Sequence, residues 1–380
     1  MMLYLTFLSF GIPIFIFSLY GIIILIFNKN DRVEEEQSKS IQFHPSVTVV
    51  VPTHNEESFI SKKIDNLTNT DFPKEKLEIL FVDDSKDSTH SIIKQYATRC
   101  PFIKLVHFNK RKGYSPSMIE GCKRAKGEII VLTDAGSLHD EKTISNLTRH
   151  FINQEVGGVT GKAVILNIKE EIGKSETLYI KLAHAIRTAE TNLDSTFRFS
   201  GEACAVRKNL IADIEQCNAS FDTAIAFHVR QKGYKTIYDP YSKFYDFTPK
   251  THRERIKQKT IRAANVIKVF LTYKHMLFRT RFGCFGFIIL PMSIALLVFT
   301  PILLLTGLTS LTILTLLNFN LLAKTLWIII LISLIIALIF FKNVLFTFFE
   351  FTYSILKALS QVIFTKKSHD MIEKIESTRR

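Results

Sequence analysis

Two stretches of this chain are almost free of charge, and they decide what the rest can be. Residues 1–28 hold no Asp, Glu, Lys or Arg, and residues 282–341 hold one such residue, Lys324. Apolar runs of this length suit helices that cross a bilayer, which need about 20 residues. Between them, residues 29–281 have the composition of a soluble domain and are long enough for a sizeable core. A disordered chain, a disulfide-stapled mini-fold and a wholly soluble enzyme are excluded. A multi-span channel is disfavoured, because most of the chain is not apolar.

The first block has no basic segment ahead of its apolar run, and no small-residue cleavage site follows it. It reads as a transmembrane helix over 4–27. Lys29 and Arg32 come directly after it, which places the large domain in the cytoplasm. Toward the C-terminus, Phe285–Leu305 is long enough to span, and Thr325–Phe341 fits a return span. Asn343–Phe364 carries Glu350 and Lys357 and fits a helix lying along the interface. Three spans leave the basic tail (Lys366, Lys367, Lys374, Arg379, Arg380) inside. The expected division is a transmembrane helix (1–28), a linker (29–45), a cytoplasmic domain (46–249), basic juxtamembrane helices (250–281), a C-terminal membrane region (282–365) and a basic tail (366–380). The protein is therefore expected in the cell membrane, multi-pass.

The net charge is +14, which invites a nucleic-acid reading. Its distribution argues against one. Residues 250–281 alone hold ten Lys and Arg against Glu254, just before an apolar span. Anionic headgroups are the natural partner of such a block. The five cysteines (Cys100, Cys122, Cys204, Cys217 and Cys284) are odd in number and widely spaced, with no CxxC pair. They read as inert thiols in a reducing compartment, not as a zinc site of the usual spacing.

Within the domain, β-branched apolar runs recur about every 25–30 residues: Val47–Pro52, Leu77–Val82, Ile103–Phe108 and Glu128–Thr133. Polar, helix-periodic stretches separate them. That alternation means βαβ units and a mostly parallel sheet. Ligands in such sheets bind beyond the carboxyl ends of the strands. Those ends carry Thr53, His54, Asn55 and Glu56 after the first strand, Asp83 and Asp84 after the second, and Asp134 after the fourth. Helix capping accounts for Asp87-Ser-Thr, but not for paired aspartates after one strand and a further one after another. No GxGxxG follows the first strand, and Gly161-Lys162 lacks the rest of a P-loop.

These segments carry a resemblance. Val47-Thr-Val-Val-Val-Pro-Thr-His-Asn-Glu-Glu57, Phe81-Val-Asp-Asp-Ser-Lys-Asp-Ser-Thr89, Arg111-Lys-Gly113, Lys126-Gly-Glu-Ile-Ile-Val-Leu-Thr-Asp-Ala-Gly136 and Phe221–Pro240 come in order. Together they resemble the family-2 glycosyltransferases of GT-A fold, over about residues 45–280. The resemblance implies an α/β domain with a Rossmann-like mixed sheet, flanked here by transmembrane helices. It implies a nucleotide sugar donor, UDP- or GDP-linked, a lipid-linked or glycan acceptor, and Mg2+ or Mn2+. In that reading Asp83 and Asp84 hold base and ribose, and Thr53 and Glu56 sit in the loop over the nucleoside. Arg111 or Lys112 meets the diphosphate. Asp134 opens the metal-binding DxD motif, Asp222 is the catalytic base, and Gln258 and Arg262 fall at the QxxRW segment.

Three departures stand out. The DxD motif reads Asp134-Ala-Gly136, so a second acid is missing and a nearby group such as His139 or Asp140 is expected to help. Phe221 stands where an acid usually precedes the base. The QxxRW segment has no Trp. The family's processive synthases use that Trp and a many-helix channel, so transfer of one sugar or a few is expected over polymer synthesis. Gly136 and Phe221 motivate a different class, a catalytically degenerate membrane scaffold or sugar-binding partner. Retained Asp84, Asp134 and Asp222 count against it. Three sequons, at Asn66, Asn146 and Asn218, read as chance in a cytoplasmic domain.

Overall fold

Unbroken runs of apolar, mostly branched residues build the centre of the sheet, with successive side chains on opposite faces. The computed structural model describes residues 2–28, 43–167, 171–211, 214, 220–247, 249, 251–318, 321–340 and 342–364. The four expected strands are β1 (Val47–Thr53), β2 (Leu77–Asp83), β3 (Ile103–His107) and β4 (Ile129–Leu132). Val47, Val49, Val51, Ile79, Phe81, Ile129 and Val131 point to one face. There they pack on helices α2 (Ile60–Thr68), α3 (Thr89–Arg99) and α5 (Thr143–Arg149). Val50, Leu80, Val82, Ile130 and Leu132 point to the other face. There they meet α4 (Tyr114–Arg124) and α7 (Phe221–Gln231). Each such side chain contributes roughly 1.5–3 kcal/mol on burial. With both faces covered, a one-residue slip of β1 against β2 would exchange the whole set, so the register is fixed.

The remaining strands are β5 (Leu138–His139), β6 (Val156–Ile165), β7 (Cys204–Arg207) and β8 (Lys235–Asp246), and the sheet runs β3-β2-β1-β4-β7-β6-β8-β5. Strands β1 to β4 are mutually parallel where they pair. β7 is antiparallel to β4 and β6, and β8 runs parallel to β6 but antiparallel to β5. The sheet is thus mixed, as a GT-A domain requires. Pro240 lies inside β8 where its register against β6 shifts between Thr160 and Lys162. Gly161 allows that irregularity, since a Cβ there would come within 2.3 Å of the Ser242 carbonyl oxygen. The glycine of the discarded P-loop reading has a packing role.

Two helices are long and apolar enough to cross a membrane among the described residues. They are α1 (Met2–Phe27) and the run Phe285–Leu316, which extends beyond the expected Leu305. In that run Pro291 and Pro301 cannot donate, and π-helical turns at Phe285–Ile289 and Ala295–Phe299 precede them. The run ends in α9 (Thr300–Asn318). Thr6 of α1 and Ser310 of α9 share a hydrogen bond of 2.8 Å, and Gly307 lets Phe10 approach closely. α10 (Leu321–Phe340) contains a shorter apolar stretch, Lys324–Ser333.

The basic segment 250–281 is not one headgroup-facing surface. In α8 (His252–Thr272), Arg255, Lys259 and Arg262 turn toward Glu176 and Glu202. Arg253, Lys257, Lys274, Arg279 and Arg281 are exposed. The same packing explains Glu350, whose charge suggested an interfacial helix. α11 (Lys342–Phe364) lies against α8, with Ala358 packed on Ala264 and Ile267. Glu350 is buried there between Arg255 (2.6 Å) and His252 (2.6 Å). The basic tail and Asn218 fall outside the described residues. So does Cys217; Cys100, Cys122, Cys204 and Cys284 are free thiols. Asn66 spends both ends of its amide on the His139 backbone.

Candidate active site

The carboxyl ends of β1, β2 and β4 open into a cavity of about 560 Å³. Hydrogen bonds from side chains and backbone amides lace together the loops after β1 and β2. Thr53 Oγ1 donates to Asp83 Oδ1 (2.8 Å), the Asn55 amide to Ser85 Oγ (2.8 Å) and the Glu56 amide to Thr89 Oγ1 (2.7 Å). Asn55 sits at φ +52°, a left-handed conformation that Asn tolerates better than most residues.

Asp84 organises the next loop. Its Oδ1 lies 2.7 Å from His54 Nδ1, while Oδ2 accepts from the amides of Lys112 (2.7 Å) and Gly113 (3.2 Å). Those bonds bring Arg111 to the cavity wall. Lys112 points elsewhere: its ammonium is 3.5 Å from the Phe108 ring centroid and 3.4 Å from Glu120. Of the two, Arg111 lines the cavity and Lys112 does not. Asp83 does not line the cavity. It is wholly buried, and its carboxylate is spent on Thr53, Ser85 and His107.

Asp134 lines the floor, and its Oδ1 accepts from the Ser137 amide at 3.0 Å. Beneath that turn lies the buried Lys63, which donates to Thr133 Oγ1 and the Ser137 carbonyl, both at 2.8 Å. Burial pushes this ammonium down to about 7, against the pull of Asp134 and Asp246. Asp222 lies in the first turn of α7, where a negative charge suits the helix N-terminus. Its carboxylate accepts from the amides of Gly201 (3.1 Å) and Thr223 (2.8 Å) and from the Ser220 hydroxyl.

Of the ten residues singled out in the sequence, Thr53, Glu56, Asp84, Arg111, Asp134, Asp222, Gln258 and Arg262 line this one cavity. The helpers expected beside Asp134 do not. His139 is buried and hands its Nε2 proton to the Glu202 carbonyl (2.9 Å), with its imidazole pushed down to about 3 by burial and by Lys63. Asp140 accepts from Tyr245 (3.0 Å).

In their place the fold brings Glu202 and Asp246 to the cavity. Burial raises the Glu202 acid to about 7; Arg262, 3.5 Å away, opposes the rise, and Asp134, Asp246 and Asp222 add to it. Tyr114 also lines the cavity, and burial together with Asp134 and Asp222 holds its phenol neutral. Asp246 ends β8, and the rule that acids at strand ends face the ligand would have found it had β8 been read as a strand. Glu202 sits in a Gly-Glu turn before β7 and carried no such signal.

Sequence comparison agrees with the geometry. A family model described as glycosyl transferase family 2 matches residues 48–214. Over that span, somewhat under half of the chain, the sequence is similar to that family. A probable glycosyltransferase of Bacillus subtilis, YdaM, is 26% identical over 247 residues, covering 62% of this chain and 58% of that protein. A Methanococcus voltae enzyme is 27% identical over 160 residues, covering 41% of this chain and 48% of its own length. It is named as a dolichyl N-acetyl-glucosaminyl phosphate diacetamido-dideoxyglucuronosyltransferase. The chain thus spans about half of the length of these relatives. Among solved structures, the mannosyltransferase PcManGT of Pyrobaculum calidifontis, in complex with GDP-Man and Mn2+, superposes with a TM-score of 0.71 at 23% identity. That likeness covers 94% of this chain and 99% of the other, and fixes the fold as GT-A with its flanking helices.

Proposed function

We propose that the chain is an inverting glycosyltransferase of the cell membrane. It moves a sugar from a UDP- or GDP-linked donor to a hydroxyl of a lipid-linked or glycan acceptor at the cytoplasmic face. The observation that carries this reading is the single cavity with three kinds of wall. Thr53, Glu56, Asp84 and Arg111 supply the first, Asp134 and Asp222 the second, and Leu297 of the apolar run with Phe351 and Ile355 of α11 the third. A nucleotide suits the first wall and a lipid-linked acceptor the last.

In this reading Arg111 and Arg262 meet the diphosphate, and Gln258 lies beside Arg262 in the same wall. The carboxylates of Asp134, Glu202 and Asp246 offer hard oxygens that fit Mg2+ or Mn2+. Bound there, the cation would neutralise charge on the departing diphosphate. Asp222 takes the acceptor proton as the oxygen attacks the anomeric carbon, the bond from that carbon to phosphate oxygen breaks, and configuration inverts. Arg187 and Arg198 line the same cavity and would hold a phosphate carried by the acceptor. Residues 46–249 form the catalytic domain, 250–281 the bridge to the membrane, and 1–28 and 282–365 the membrane regions, with Lys29 and Arg32 keeping the domain cytoplasmic.

The test is nucleotide release by the purified protein in membranes with a panel of UDP- and GDP-sugars, Mn2+ or Mg2+, and a polyprenyl-phosphate acceptor present or absent. Release with one donor that chelator abolishes is expected. Absence of both release and nucleotide binding would favour the scaffold reading, and a long polymer product would favour a processive synthase.

A further inference from the structure

One group of side chains is left over from the cavity. Asp83 ends β2, and its Oδ2 lies 2.7 Å from Nδ1 of His107, which ends β3. His90, in the first turn of α3, sets its ring 4.2 Å from the His107 ring at 50°. Its Nδ1 is buried and has no hydrogen-bond partner, an unfavourable state for a ring nitrogen. One ligand atom from each of the three residues lies within 4.8 Å of the other two.

We propose that Asp83, His90 and His107 form a second divalent-cation site, distinct from the carboxylates around Asp134, and that it takes zinc. Two imidazoles with one carboxylate suit zinc and do not suit Mg2+ or Ca2+, which prefer oxygen throughout. Ligand atoms of a tetrahedral zinc site stand about 3.3 Å apart. To reach that spacing from the observed one, the two rings must turn on binding. The surroundings match a ligand carboxylate. Thr53 and Ser85 both donate to Asp83 Oδ1, at 2.8 and 2.5 Å, which orients the group and leaves Oδ2 for the metal. On binding, the metal takes the place of the proton between Asp83 and His107, and the neutral ring then carries its hydrogen on Nε2. His107 is 26% exposed, which gives the ion a way in.

The consequence reaches the cavity. The three ligands come from the end of β2, the end of β3 and the start of α3, so a bound ion pins both ends of the segment 84–89. That segment carries Asp84, and its Ser85 and Thr89 hold the loop after β1. The site is thus a structural clasp on the nucleotide end.

The experiment is Zn2+ titration of the full-length, chelator-stripped protein against a chromophoric competitor, with Tm measured in parallel. Wild type and Asp134→Asn are expected to hold one Zn2+ tightly and to gain Tm with it. His90→Phe and His107→Phe are expected to bind it at least tenfold more weakly and to show no Zn2+-dependent gain. His90→Gln guards against a folding defect: it should keep the metal-free Tm of wild type yet lose the tight Zn2+. Equal Zn2+ affinity in wild type and His90→Gln would overturn the site. So would loss of the tight Zn2+ in Asp134→Asn, or its absence from wild type.

Discussion

The amide of Gly201 donates to Oδ2 of Asp222 over 3.1 Å, joining the loop before β7 to the first turn of α7. A Cβ at Gly201 would come within 2.9 Å of the Tyr114 hydroxyl, so a larger residue there would have to displace that phenol. With the Thr223 amide and the Ser220 hydroxyl on Oδ1, the carboxylate is aimed by donors on both oxygens. Asp222→Asn keeps the shape and removes the base. Sugar transfer is expected to fall by about 10²- to 10⁴-fold, while equilibrium binding of the nucleotide sugar is unchanged. Undiminished nucleotide release would remove Asp222 from that role.

Gly127 is a second position where the motif is a packing demand. Its amide donates to Thr48 Oγ1 at 2.8 Å, and a Cβ would lie 2.5 Å from the Thr48 nitrogen and 2.6 Å from the Val47 carbonyl carbon. Those are backbone atoms of the central strand, which cannot yield. Gly127→Ala is expected to lower stability by roughly 1–3 kcal/mol, read as a drop in Tm. An unchanged Tm would mean that β1 can move.

What the sequence disclosed follows from burial. β1, β2 and β4 are covered on both faces, so they appear as unbroken branched runs, and their ends could be searched for acids. β6 and β8 gave no such run. Gly157, Gly158 and Gly161 interrupt the first and Pro240 the second, because close approaches and a register shift are built there. Asp246 was hidden with β8. The inward turn of Arg255, Lys259 and Arg262 was present as a helical period, but a run of like charges beside a membrane span suggested lipid first. Nothing local marks Lys63 as buried, since its partners lie 70 and 74 residues away.

Arg255 is 2% exposed and stands between Glu176 and Glu350, 2.9 and 2.6 Å away. It joins α8 to α6 (Glu171–Leu193) and to α11. Removing it leaves Glu176 with Lys259 alone and Glu350 with His252 alone, and breaking such a buried pair typically costs about 3–5 kcal/mol. Arg255→Met should therefore lower the Tm of the detergent-solubilised protein more than exposed Arg253→Met does. Equal shifts would place the network's worth at that of a surface pair.

Lys63 supplies a pH signature. Its ammonium is fully buried and titrates at about 7 in the fold, below the ordinary 10.5. Below about pH 7 both states are protonated, and the whole desolvation cost is carried by the native state. Between there and 10.5 the native state releases its proton first, so the unfolded chain binds more protons and stability rises with pH. The slope approaches about 1.4 kcal/mol per pH unit from this group. Lys63→Met has no such proton. In chelator-treated protein, the Tm of wild type is expected to climb relative to Lys63→Met between about pH 7 and pH 9. Parallel curves would show that Lys63 keeps its charge in the fold, held by Thr133, Ser137 and the nearby carboxylates.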